Sequence, residues 1–78
     1  MKVRYFATLR DLSGMEEEEY LVQGSPSIEK VFSDLKGKHP AMNGQKKVLF
    51  ALNEKFADPE TMVSNNDILA IFPPVSGC

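Results

Sequence analysis

Seventy-eight residues and 8.7 kDa are enough for one small domain and exclude a two-lobed enzyme with a cleft between its halves. An apolar fraction of 42% supports a single core, and the 26% of charged residues are too interspersed with apolar ones for a disordered chain. No apolar run approaches the roughly 20 residues that cross a bilayer. No basic start followed by an apolar stretch marks a signal peptide, so the expected compartment is the cytoplasm, with no membrane partner.

The net charge of −2 is unevenly spread: residues 1–35 sum to −3, residues 36–55 to +4 through five lysines, and residues 56–78 to −3. A general nucleic-acid binder would carry a net basic face, so no nucleic-acid partner is expected. The basic middle reads either as a docking patch for an acidic partner or as a solvated loop. The only cysteine, Cys78, ends the chain and can form neither an internal disulfide nor a metal site by itself. The only histidine, His39, stands beside Pro40 in an expected helix-ending turn, which favours a structural role over chemistry.

In chain order, Met1 to Leu9 reads as a strand, with Val3, Tyr5 and Ala7 alternating against Arg4, Phe6 and Thr8. Arg10 to Gly14 is a short connection with Gly14 suited to a tight turn. Met15 to Gln23 is a second strand, whose Glu16–Glu19 run suits an exposed edge, where charge opposes sheet-to-sheet association. Consecutive strand carboxylates point to alternate faces, which argues against a cation site there. Ser25-Pro26-Ser27 then starts a helix in which Ile28, Val31, Phe32 and Leu35 share one stripe. Ser27 is the expected N-cap, Lys36, Lys38 and His39 suit the negative end of the helix dipole, and Pro40 stops the helix.

Residues 41–46 read as loop. Lys47 to Asn53 is a strand with Val48, Phe50 and Leu52 on one side and Leu49 and Ala51 on the other, a pattern expected of a strand covered on both faces. Asn53-Glu54-Lys55 turns into a short strand at Phe56-Ala57, and Ile68 to Phe72 is a central buried strand. A sheet of this order with one amphipathic helix must be covered by that helix on one face. With the apolar first and last strands side by side in the middle, the expected fold is α+β: a β-grasp, as in ubiquitin. It has a mixed sheet of four to five strands over residues 1–72 and an extended tail over residues 73–78.

The tail, Phe72-Pro73-Pro74-Val75-Ser76-Gly77-Cys78, is the most informative segment. Two prolines remove two N–H donors, so pairing stops there, and they stiffen the exit. Six extended residues reach about 20 Å, and small side chains allow such an arm to enter a narrow channel. An ordinary frayed terminus is the plain alternative.

Tyr5-Phe6-Ala7-Thr8-Leu9-Arg10-Asp11 and Phe72-Pro73-Pro74-Val75-Ser76-Gly77 resemble the small subunits of molybdopterin synthase, a family of ubiquitin-like sulfur carriers, and the resemblance extends over essentially the whole chain. It implies a protein substrate rather than an autonomous enzyme. A ubiquitin-activating-type adenylyltransferase uses ATP to adenylate the C-terminus, a sulfur donor converts it to a thiocarboxylate, and the large synthase subunit, in a heterotetramer, transfers the sulfur to cyclic pyranopterin monophosphate. No cofactor would be bound by the chain itself. The resemblance places sulfur attachment at Gly77 and Cys78, lets Pro73 and Pro74 direct the arm with Val75 and Ser76, and makes Phe72 and Arg10 partner contacts. Read from the residues alone, Phe72 is equally a core residue and Arg10 equally a solvated one.

The family ends in Gly-Gly, whereas this chain ends in Gly77-Cys78. Four readings of Cys78 stay open: an engineered substitution, a natural variant with co-adapted partners, a residue removed by processing, or a thiol that itself carries sulfur as a persulfide. The last is the weakest, since an unperturbed thiol of pKa near 8.5 is only a few per cent thiolate at neutral pH. Carriers of other pathways (tungsten cofactor, cysteine or thionucleoside synthesis), protein modifiers and a non-reactive β-grasp interaction module are the alternatives in function.

Overall fold

The computed structural model describes residues 1–45 and 47–74. Five strands form one mixed sheet: β1 (Lys2–Tyr5), β2 (Glu17–Glu19), β3 (Leu49–Leu52), β4 (Lys55–Ala57) and β5 (Ile68–Phe72), in spatial order β2-β1-β5-β3-β4. β1 and β5 are parallel neighbours at the centre, and every other pairing is antiparallel. This is the β-grasp arrangement, with the first and last strands adjacent as their apolar content predicts.

The main helix, α2 (Ile28–Lys38), packs on one face of the sheet. Its stripe of Ile28, Val31, Phe32 and Leu35 is buried in full, opposite Val3, Tyr5, Phe50, Leu69 and Ile71. Ser27 caps it as expected, its hydroxyl accepting from the Lys30 N–H at 3.2 Å. The helix ends at His39, just before Pro40.

Three local expectations are corrected. The first strand stops at Tyr5, and Thr8–Ser13 forms a short helix, α1. Ala7, at φ 52° and ψ −126°, turns the chain out of the sheet. α1 then buries Leu9 completely, packs Leu12 on the core, and closes on Gly14 in the left-handed conformation. Residues 40–44, read largely as loop, form a 3₁₀ turn that puts Met42 in the core with no exposure. Finally, β3 and β5 are covered on one face only, since Leu49 and Ile68 remain 39% and 45% exposed. An apolar run signals a strand, but it does not say whether both faces are covered within the chain.

The two-residue turn between β3 and β4 holds Asn53 at φ 53° and Glu54 at φ 71°, and Leu52 pairs with Lys55 across it. Such a turn favours Asn-Gly, because the second position is left-handed and a Cβ there is strained. Glu54→Gly is therefore expected to raise stability by about 0.5–1 kcal/mol, with the relief of strain exceeding the added unfolded-chain entropy. The check is a higher denaturant midpoint at unchanged slope.

Candidate functional site

β5 delivers the chain to its exit. Its last pairing is Leu49 with Phe72, after which Pro73 and Pro74 offer no N–H to a neighbouring strand. Pro73 is half-buried and Pro74 exposed, so the chain leaves the sheet at the end of its central strand. Because β1 runs parallel to β5, the two segments that carry the family resemblance meet here. Tyr5 pairs with Ile71, and the Phe6 N–H donates to the Ile71 carbonyl at 3.1 Å. Val75, Ser76, Gly77 and Cys78 lie outside the described residues.

Phe72 is half-buried and belongs to the sheet face opposite α2. Strand alternation sets this face: Phe50, Leu69 and Ile71 point to the core, so Leu49, Ala51, Ile68, Ala70 and Phe72 point away from it. Phe56, opposite Ala51, joins them at 80% exposure, its ring 5.9 Å from that of Phe72. The result is a contiguous apolar surface running up to the tail exit. Charged groups rim it on the β1–β2 side: Lys2 and Arg4 each lie 3.9 Å from Glu17, and the Arg4 guanidinium sits over Phe6 at 5.5 Å. An exposed apolar patch with a polar rim is the usual form of a protein-binding surface.

Arg10 lies on α1 with its side chain exposed, where its guanidinium lies 3.4 Å from Glu16. Sequence reading missed Phe56, Leu49 and Ile68 as surface contacts. The signal was present in the alternation of β3, β4 and β5, but the sheet register was needed to bring the three onto one face.

A second cluster joins β1, β2 and the end of α2. Glu18 departs from the exposed edge expected of its run, with only 7% of its side chain exposed. Its carboxylate accepts from the Tyr5 hydroxyl at 2.5 Å and from Lys38 Nζ at 2.6 Å, and it lies 2.7 Å from His39 Nε2. Burial pushes the Glu18 carboxyl up, but the donors Lys38, Tyr5 and His39 outweigh it and hold its pKa below the ordinary value. Burial, with Glu18 alongside, pushes the Tyr5 hydroxyl well above the usual range. His39 stacks edge-on against Tyr5 at 6.0 Å, and its contact with Glu18 is structural. Among the described residues no group of three or more His, Cys, Asp and Glu could hold a metal ion, and no helix is long and apolar enough to cross a membrane.

Comparison with known proteins places this geometry. Residues 3–77 match the model of the ThiS family. A molybdopterin synthase sulfur carrier subunit from Chlamydomonas reinhardtii is 31% identical over 80 residues, covering 99% of this chain and 96% of that protein. One from Arabidopsis thaliana is 32% identical over 78 residues, covering 99% and 81%. Among solved structures, the small archaeal modifier protein 1 of Haloferax volcanii superposes with a TM-score of 0.87 at 25% identity, covering 96% of this chain and 97% of that one. The match spans the sheet, the helix and the proline exit together, and the chain belongs to the ThiS family.

Proposed function

We propose that this protein is the sulfur carrier subunit of a molybdopterin synthase, with its C-terminal carboxyl as the group that receives and gives up sulfur. The observation that carries this reading is the placement of the Pro73-Pro74 exit at the end of the central strand, beside the open apolar face. A partner seated on Phe56 and Phe72 would hold the arm at a fixed distance from its own catalytic groups. The two relatives named as sulfur carrier subunits support the same assignment.

The chemistry follows from the poor electrophilicity of a carboxylate. A C-terminal oxygen attacks the α-phosphorus of ATP on the activating partner, and pyrophosphate leaves. A persulfide sulfur of the donor then attacks the carbonyl carbon and expels AMP. Cleavage of the resulting acyl disulfide by a thiol leaves the thiocarboxylate. In the large synthase subunit this sulfur passes to cyclic pyranopterin monophosphate. The chain contributes position and the terminal carbonyl, and its partners supply the catalytic groups. Gly77 permits close approach of the backbone, whereas Cys78 adds a Cβ and a sulfur at the reacting residue.

Deleting Gly77 and Cys78 tests this directly. In a reconstituted assay with the large subunit, activating enzyme, ATP and sulfur donor, the truncated chain is expected to lose at least about 100-fold in dithiolene formation, because its new terminal carboxyl, on Ser76, falls about 7 Å short of the reacting position. Its melting curve should be unchanged. Undiminished product would exclude the carboxyl of Cys78 as the sulfur site. The likeness to a small archaeal modifier favours a second reading, in which the same activated carboxyl is joined to lysines of target proteins. Isopeptide-linked conjugates recovered from cells would select it.

A further inference from the structure

A groove of about 510 Å³ runs between α2 and β3 on the side away from the Glu18 cluster. Phe32, Val48 and Phe50 give it an apolar floor; Lys36 and Lys47 also line it, and Pro74 borders it where the chain departs. We propose that this groove docks an acidic segment of a protein partner, seating one apolar side chain on the floor and carboxylates on Lys36 and Lys47.

Charge carries the choice of occupant. Lys2, Lys30 and Lys38 each have a carboxylate within 4 Å, whereas neither Lys36 nor Lys47 is paired among the described residues. The Lys36 ammonium lies 4.9 Å from the centre of the Phe32 ring, which holds it across the apolar floor rather than out in solvent. Glu29 is the single acid in the lining. Lys36 and Lys47 to Phe50 of the lining belong to the +4 segment of a chain whose flanking segments are each −3, so this side of the groove is the part of the chain that favours an acidic ligand. Two cations on a chain of net −2 make too small a basic surface for a nucleic acid. Leu49 lines the groove and also belongs to the open apolar face, so one partner can cover both surfaces and the tail exit between them.

The test is a titration of the isotope-labelled full chain, followed by backbone amide shifts, with a synthetic decapeptide of alternating Glu and Ser around a central Leu. Shifts are expected to concentrate at Lys36, Lys47, Val48 and Leu49. Affinity should fall about tenfold in the Lys36→Glu/Lys47→Glu double variant, and similarly when salt is raised from about 50 to 300 mM. Lys36→Gln with Lys47→Gln, which keeps long side chains over Phe32, should give a smaller loss of the same sign. Replacing every peptide Glu by Gln should abolish binding. Absence of shifts at millimolar peptide, or shifts centred elsewhere, would overturn the proposal. It would also be overturned if the chain lacking residues 75–78 bound the peptide about tenfold more tightly at the same four amides, since the occupant of the intact chain would then be its own tail. The readout is binding alone, so it holds or fails independently of the sulfur chemistry.

Discussion

Glu18→Ala is expected to lower the folding stability by about 2–3 kcal/mol, the range for removing a buried hydrogen-bonded charge. The substitution strands the Tyr5 hydroxyl and the His39 ring, whose side chains are almost fully enclosed. The loss on the Lys38 side is smaller, because that ammonium is mostly exposed and regains water. For a domain of this size the midpoint of thermal unfolding should fall by roughly 10–20 °C. The pH dependence has a definite sign. The folded-state pKa of Glu18 is depressed, so its stabilisation is fully present above the ordinary carboxylate value of 4.5 and is lost as pH falls through the lower folded value. Glu18→Gln should therefore flatten the acid limb of the stability curve below pH 4.5. An acid limb identical to that of the unaltered chain would remove Glu18 from the account.

The second large effect concerns association. Phe56→Asp should weaken binding of either proposed partner, an adenylating enzyme or the large synthase subunit, by at least about tenfold, because a buried aromatic at an interface contributes about 2 kcal/mol or more. Phe56 is 80% exposed in the free chain, so its replacement removes little from the core and the melting temperature should move by only a few degrees. Phe72 packs against it at 5.9 Å, and Phe72→Ala should show the same direction of effect together with a larger loss of stability, since Phe72 is half-buried. Titration calorimetry of the two variants separates the contributions. Unchanged affinity in Phe56→Asp would move the docking surface off the open sheet face.

Much of this architecture was legible from the residues. The stripe of Ile28, Val31, Phe32 and Leu35 defined α2 because helical periodicity persists over two turns, and Ser27 marked its start through its hydroxyl. The apolar content of β1 and β5 was enough to place them together. α1 escaped because Leu9 and Leu12 are too few to set a period, and because Ala7 adopts a backbone conformation rarely taken by any residue but glycine. Glu18 escaped for a different reason: four consecutive glutamates look alike in sequence, and only pairing with β1 turns one of them inward. Of the site, the exit at Pro73-Pro74 was legible because proline has a fixed chemical consequence. The open face was not, since it is made by register among β3, β4 and β5.

In the proposed function, bonds change at the last carbonyl carbon. Mass spectrometry of the intact chain tests it most directly, after incubation with its activating enzyme, ATP and a sulfur donor, followed by treatment with dithiothreitol. The expected result is a mass gain equal to sulfur replacing one oxygen, located in the C-terminal fragment, resistant to the reductant and retained in Cys78→Gly. A gain of a whole sulfur atom that the reductant removes and Cys78→Gly abolishes would instead identify a persulfide on the thiol and contradict it.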